Sequence, residues 1–101
     1  MPSLDSLHPA LLPYARELVR LYPAVQITSV LRSRSEQTRL YRRYLAGHSQ
    51  YPAAPPGSSY HEYGRAWDMV APGDVLVALG RIWQQWGGTW GGARDPIHFQ
   101  A

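Results

Sequence analysis

Proline and glycine cut this chain into short pieces. Each occurs nine times in 101 residues, so about a sixth of the chain favours turns and loops. The breaks fall at Pro23, at Gly47, throughout residues 48–60, at Pro72-Gly73, and at the two Gly-Gly pairs flanking Trp90. No apolar run between them approaches the roughly 20 residues of a membrane span. A chain of this length is expected to build one core and one domain, residues 1–101. Its 45% hydrophobic and 17% charged residues fit a folded domain rather than a disordered segment.

Within the pieces, apolar spacing sets the element type. Leu7, Leu11, Ala15, Leu18 and Tyr22 recur at helical spacing, which predicts a helix over 9–22 that Pro23 ends. Pro9 suits its first turn, whereas Pro13 lies deeper. Residues 24–31 alternate in part and are rich in β-branched types. They predict a strand with Val25, Ile27, Ser29 and Leu31 on one face. Ser33 with Glu36 three residues on is a capping pair, so a second helix is expected from near Arg34 to a stop at Gly47. Its buried stripe is expected to be Leu40, Tyr41, Tyr44 and Leu45.

Residues 48–60 hold three prolines, a glycine and three serines, and a loop about a dozen residues long in a compact domain is often functional. A short strand is expected at 65–70. A helix then runs from Pro72-Gly73-Asp74 to about Trp86, with Val75, Leu79, Ile82, Trp83 and Trp86 as its apolar face. A terminal strand, Ile97 to Gln100, follows. This order predicts an α+β fold, a small and mostly antiparallel sheet with helices packed beside it.

All ten basic residues are arginine, and seven carboxylates leave a net charge of +3. Arg34, Arg39, Arg42 and Arg43 crowd into one predicted helix. That bias allows an anionic partner such as nucleic acid, a membrane surface or an acidic polymer; its plainer reading is a solvated helix face. No nucleic-acid motif accompanies the charge, so nucleic acid is not the expected partner. The lack of cysteine excludes disulfides, thiolate metal ligands and a cysteine nucleophile. Residues 1–12 carry no basic start followed by an apolar block, so synthesis in the cytoplasm without a secretory signal is expected.

Two of the four histidines stand in unusual company. His61 lies in Ser59-Tyr60-His61-Glu62-Tyr63-Gly64-Arg65-Ala66-Trp67-Asp68, and His98 in Asp95-Pro96-Ile97-His98. Two imidazoles and a carboxylate suffice for a catalytic zinc, with bonds of about 2.0–2.2 Å and a fourth position left for water. A further carboxylate could take that water's proton, and Asp95 and Glu62 are the local candidates. Side chains seven apart point to opposite faces of a flat strand, so His61 and Asp68 need a bend between them, which Gly64 can supply. Pro96 implies a distorted entry to the last strand. The residues alone leave two readings open. One is a metal site. The other is a capped loop histidine, a surface aspartate and a half-buried histidine in a terminal strand. His8 and His48 match no motif and read as surface residues, Glu62 as an exposed loop glutamate, and Asp74 as a helix cap or first-turn charge. Trp83 and Trp86 read as core. Trp90, Tyr60 and Tyr63 read equally as cleft wall or plain packing.

Ser-x-His-x-x-Gly-x-Ala-x-Asp, followed later by Asp-x-x-His-Phe, resembles the M15 zinc peptidases. These comprise D-Ala-D-Ala carboxypeptidases, VanY-type enzymes and phage L-alanyl-D-glutamate endopeptidases. The likeness extends upstream through Arg32-Ser33-x-x-x-Gln37-x-x-Leu40-Tyr41, and downstream through Trp86-Gly87-Gly88-x-Trp90, covering roughly residues 24–100. The resemblance implies Zn²⁺ held by His61, Asp68 and His98, with Asp95 as general base. It implies that Arg32 stabilises an oxyanion or holds a substrate carboxylate, with Ser59 and Gln37 supporting or contacting substrate. Two departures stand out. Ser29-Val30-Leu31 precedes Arg32 where the family commonly has a glycine and an aromatic. Trp67 stands before Asp68 where a smaller residue is common, a change expected to reshape the back of the pocket.

The short chain and its Asp-x-x-His ending are most similar to the phage-type endopeptidases. They imply hydrolysis of the L-Ala-D-Glu amide in peptidoglycan stem peptides by a monomer that reaches the bacterial wall after holin-mediated release. A D,D-carboxypeptidase of the same family is the near alternative. A non-catalytic, zinc-stabilised wall-binding module is the distant one, since structural zinc sites usually have four protein ligands and three are evident here.

Overall fold

The computed structural model describes residues 2–101. Three helices and four strands follow one another as α1 (Leu12–Leu21), β1 (Gln26–Ser29), α2 (Arg34–Leu45), β2 (Ala66–Val70), α3 (Val75–Gln85), β3 (Thr89–Trp90) and β4 (His98–Gln100). Single 3₁₀ turns lie at Leu4–Ser6, Tyr60–Tyr63 and Gly92–Arg94. The strands form one antiparallel sheet in the order β1-β2-β4-β3, so the fold is α+β as expected. Among the described residues no helix is long and apolar enough to cross a membrane.

Side chains alternate across a strand, and β2 uses that alternation fully. Trp67 and Met69 enter the core with Phe99 of β4, Ile27 of β1, Ala15 and Leu18 of α1, and Leu79 and Trp83 of α3. The Trp67 ring stacks on Phe99 at 5.5 Å and meets Trp83 edge-on at 5.0 Å. Fully burying such side chains stabilises by about 1.5–3 kcal/mol each. Trp67 therefore packs on the sheet face opposite Asp68 and does not reshape the back of the pocket.

Helix α1 begins at Leu12 rather than near Pro9, and Pro13 sits in its first turn. A proline there removes an N–H that has no partner inside a helix anyway. Pro9 instead lies in a turn closed by Leu11 N–H to His8 O at 2.9 Å.

Strand β1 departs from the expected face pattern. Ile27 pairs with Met69 but Ser29 pairs with Asp68, leaving Thr28 as an extra residue. A bulge of this kind shifts the alternation. Val30 is buried at 3% exposure and Leu31 is 53% exposed, the reverse of the simple period-two reading.

Helix α2 starts where the capping pair places it, with Ser33 Oγ accepting from Glu36 N–H at 3.1 Å. Its C-terminus turns at Gly47, whose φ is +77°. The expected buried stripe does not reach the core. Leu40 and Tyr41 are half-buried, Tyr44 is exposed, Leu45 is 64% exposed, and Gln37 alone is fully buried. Trp86, expected in the core, is exposed beside Tyr14 with ring centroids 6.0 Å apart. It caps the end of α3, past the last turn that faces the sheet.

Candidate metal centre

His61, Asp68 and His98 come from three different pieces of the chain. His61 lies on the 3₁₀ turn Tyr60–Tyr63, which Ser59 caps by accepting from His61 N–H at 3.2 Å. Gly64 then turns the chain into β2 with φ +68°, and a Cβ there would lie 3.2 Å from Ser6 O. Both facts favour glycine, and this is the bend that the seven-residue spacing requires. Asp68 sits in the middle of β2, and His98 is its direct partner on β4. The three residues each bring a ligand atom to within 4.8 Å of the others.

Hydrogen bonds fix the orientation of both rings. His61 Nδ1 donates to Val30 O at 2.7 Å, and His98 Nε2 donates to Gln100 Oε1 at 2.7 Å. Both partners can only accept, so the remaining nitrogens, His61 Nε2 and His98 Nδ1, are the ones turned inward. Each lies 3.1 Å from Asp68 Oδ1. Either nitrogen bonds that oxygen only if it carries a second proton, which makes the ring cationic. A metal ion replaces both protons at once. Tetrahedral bonds of about 2.0–2.2 Å set neighbouring ligand atoms roughly 3.3 Å apart, close to the spacing found. The donor set and its spacing therefore fit Zn²⁺.

In the metal-free protein the same contacts set the charges. Burial opposes the charge on Asp68, but the bonds from His61 and His98 and the nearby Arg32 outweigh it and hold the carboxyl well below its usual range. Burial likewise opposes charge on His98, and the bonds to Asp68 and Gln100 outweigh it and raise its pKa.

Arg32 closes the other side of Asp68. Its Nη2 donates to Asp68 Oδ2 at 2.9 Å, its Nε to Ser29 Oγ at 2.8 Å and its Nη1 to Gln37 Oε1 at 3.2 Å. Three of five N–H donors are committed, which leaves two. Ser29, one of the departures before the arginine, thus steers it.

Asp95 lies at the end of the turn Gly92–Arg94. Its Oδ1 is buried and has no hydrogen-bond partner among the described residues. Burial raises its pKa, the nearby His98 works against that, and the negative charge of Asp68 adds to it. Trp90 braces this turn from behind, its Nε1 donating to Pro96 O at 2.8 Å. It packs on α3, where a Cβ on Gly80 would fall 2.1 Å from its ring, so Trp90 is a support and not a cleft wall.

A cavity of about 550 Å³ opens over these groups. Leu40 and Tyr44 of α2 line one side and residues 51–54 another, with Ser59, Tyr60 and Ile97 nearby. Leu40 and Tyr44 of the apolar stripe thus face the cleft, which is why they stay partly exposed. The long loop is a fixed wall. Gln37 Nε2 donates to Ala54 O at 2.9 Å and Tyr63 Oη to Gly57 O at 2.7 Å. Glu62 accepts from Gly57 N–H at 2.7 Å and Ser59 N–H at 3.3 Å, and pairs with Arg34 at 2.6 Å. Its side chain is 5% exposed, so it is an anchor and not an exposed loop glutamate. Burial opposes its charge, but these bonds hold its pKa below the ordinary value.

All five residues expected around a metal, His61, Asp68, His98, Asp95 and Arg32, line this one cleft, as do Ser59 and Gln37. His8 and His48 are exposed and lie outside the cluster. The reading from sequence missed Val30 O and Gln100, which orient the imidazoles. A carbonyl leaves no residue-type signal, and Gln100 two positions after His98 is visible only once the strand is known.

A scan against protein-family models and a search of curated proteins each found no match. Solved structures do match. The Serratia marcescens L-Ala D-Glu endopeptidase ChiX is 28% identical, over 96% of this chain and 81% of that one, with a TM-score of 0.67. The vancomycin resistance D,D-pentapeptidase VanY, from a VanB-type cassette and solved in complex with Zn(II), is 19% identical over 93% and 71%, with a TM-score of 0.71. The L,D-carboxypeptidase DacB from Streptococcus pneumonia is 20% identical over 97% and 69%, with a TM-score of 0.69. The last two share the fold.

Proposed function

We propose that this chain, an M15-type zinc peptidase in fold and in the arrangement of its site, hydrolyses the L-Ala-D-Glu amide of peptidoglycan stem peptides. One observation carries the reading: two imidazole nitrogens converge on one Asp68 oxygen, beside an unpaired Asp95 oxygen, in an open cleft. The choice of bond is supported by the motif resemblance and by the 28% identity to ChiX.

His61 Nε2, Asp68 and His98 Nδ1 would hold the zinc. When bound it supplies Lewis acidity toward a carbonyl and lowers the pKa of a water toward about 7. Asp95 Oδ1 then has the partner it lacks among the described residues. It takes the water's proton and gives it to the leaving amine of D-glutamate. Arg32 holds Asp68 through one N–H and keeps two N–H donors for a substrate carboxylate or the developing oxyanion. Val30 O and Gln100 keep the ring nitrogens correctly turned.

The test is mass spectrometry of purified peptidoglycan incubated with the protein, with chelator, and with zinc restored. New L-alanine carboxyl and D-glutamate amino termini that vanish on chelation and return with zinc are expected. Release of terminal D-alanine would move the specificity to a carboxypeptidase. A folded, zinc-loaded protein that cuts nothing would overturn the reading.

A further inference from the structure

Helix α2 is exposed or half-buried along its length except at one residue. Gln37 is 1% exposed, and a fully buried polar side chain on such a helix needs a reason. Both ends of its amide are engaged. Oε1 accepts from Arg32 Nη1 at 3.2 Å, and Nε2 donates to Ala54 O at 2.9 Å. An amide flip destroys both bonds, because Arg32 has no acceptor and a carbonyl has no donor. The orientation of the amide is therefore fixed by its two partners.

The bonds form a continuous chain. It runs from the cleft wall at Ala54, through Gln37 and Arg32, to Asp68 Oδ2. Arg32 reaches the metal cluster on one side and Gln37 on the other. The wall segment 51–54 carries Pro52, which has no N–H, and Gln37 supplies the side-chain hydrogen bond at Ala54. Whatever presses on that wall therefore reaches Arg32 by one intervening side chain.

We propose that Gln37 is a positioning residue that couples the 51–54 wall of the cleft to Arg32. The coupling rests on the peptidase reading for its catalytic consequence, and on geometry alone for its existence. A stem peptide seated against Ala53 and Ala54 holds Gln37, and Gln37 fixes the direction of the two free Arg32 donors. A peptide that leaves the wall unfilled loses turnover as well as affinity, because the donors are then less well aimed.

Two variants separate the halves of the joint. Gln37→Met keeps the volume and removes both bonds. Gln37→Glu keeps an acceptor for Arg32 and loses the donor to Ala54 O. With the zinc-loaded protein and an L-Ala-D-Glu-containing muropeptide, Gln37→Met is expected to lower kcat on the order of tenfold and to raise KM. Gln37→Glu, which keeps the Arg32 bond but releases the wall, is expected to recover only part of the lost kcat while KM stays raised. In an Arg32→Ala background, Gln37→Met should add little further loss of kcat. Full additivity there, or wild-type kcat in Gln37→Glu, overturns the coupling.

A second readout needs no activity. Backbone amide exchange of Gly57 and Ser58, whose N–H groups bond Glu62 and Pro55 O in the same loop, should accelerate in both variants at unchanged global unfolding midpoint. Unchanged exchange overturns the joint even if peptide is cut. If no peptide is cut but exchange accelerates, the wall joint stands and the peptidase reading falls.

Discussion

Strands β2 and β4 carry two opposite surfaces within eight residues. Trp67, Met69 and Phe99 face the core and are fully buried, while Asp68, His98 and Gln100 face the cleft on alternate positions. One face is held by packing and the other by directed hydrogen bonds. Packing tolerates exchange among apolar side chains of similar volume. The cleft face is the reverse, because a single atom type decides whether a nitrogen accepts a metal or donates a proton. A five-residue strand thus separates stability from chemistry, and substitutions on its two faces should fail in different ways.

The largest expected effect lies on the cleft face. Asp95→Asn should lower kcat by about 10²–10⁴-fold, since general acid–base catalysis contributes that much. Zinc affinity and the unfolding midpoint should stay close to wild type. Steady-state kinetics beside zinc titration checks it, and a comparable fall in zinc affinity would mean that Asp95 serves as a ligand.

The core face comes next. Phe99→Ala should cost about 3–5 kcal/mol of stability, seen as an earlier denaturant midpoint, with kcat per folded molecule largely kept. A kcat loss that exceeds the loss of folded protein would show that the two faces are not separate.

A third substitution sharpens the contrast without touching a ligand. Gln100→Ala removes the acceptor of His98 Nε2–H and should weaken zinc binding by about 10–100-fold. Competition with a chromophoric chelator measures it. Affinity equal to wild type would mean that the ring needs no partner to stay turned.

The smallest effect is in the pH dependence of the metal-free protein. Asp68 has a lowered folded pKa, so its contribution is full above the ordinary carboxylate value, about 4, and is lost as pH falls. His98 has a raised folded pKa, so its contribution is full below about 6.5 and is lost as pH rises through the raised value. Stabilisation by the cluster should therefore peak between about pH 4 and 6.5. Denaturant titrations across that range should show the peak, and Asp68→Asn should flatten it.

Much of this was legible in the residues. The Gly64 bend, the start of α2 at Ser33 and the ends of α1 and α2 at Pro23 and Gly47 follow from local chemistry that needs no distant partner. What misled was apolar patterning without its context. Leu40 and Tyr44 have the spacing of a core stripe, but the space opposite them is a cleft. Leu31 has the right parity for burial until Thr28 adds a residue to the strand. Glu62 reads as a solvated charge because the N–H groups that bury it belong to the loop it anchors.

Residue identity alone set the donor types, the chain breaks and the alternation that puts Asp68 opposite in direction to Trp67. These depend on residue identity and on periods of two and 3.6. Which nitrogen of each imidazole faces inward, which oxygen of Asp68 belongs to Arg32, and that an Asp95 oxygen stays unpaired among the described residues were settled by folding. Those outcomes rest on partners from remote parts of the chain, Val30 for His61 and Arg32 for Asp68. A hydrogen bond is directional and short-ranged, so its partners are settled only when folding brings them within about 3 Å.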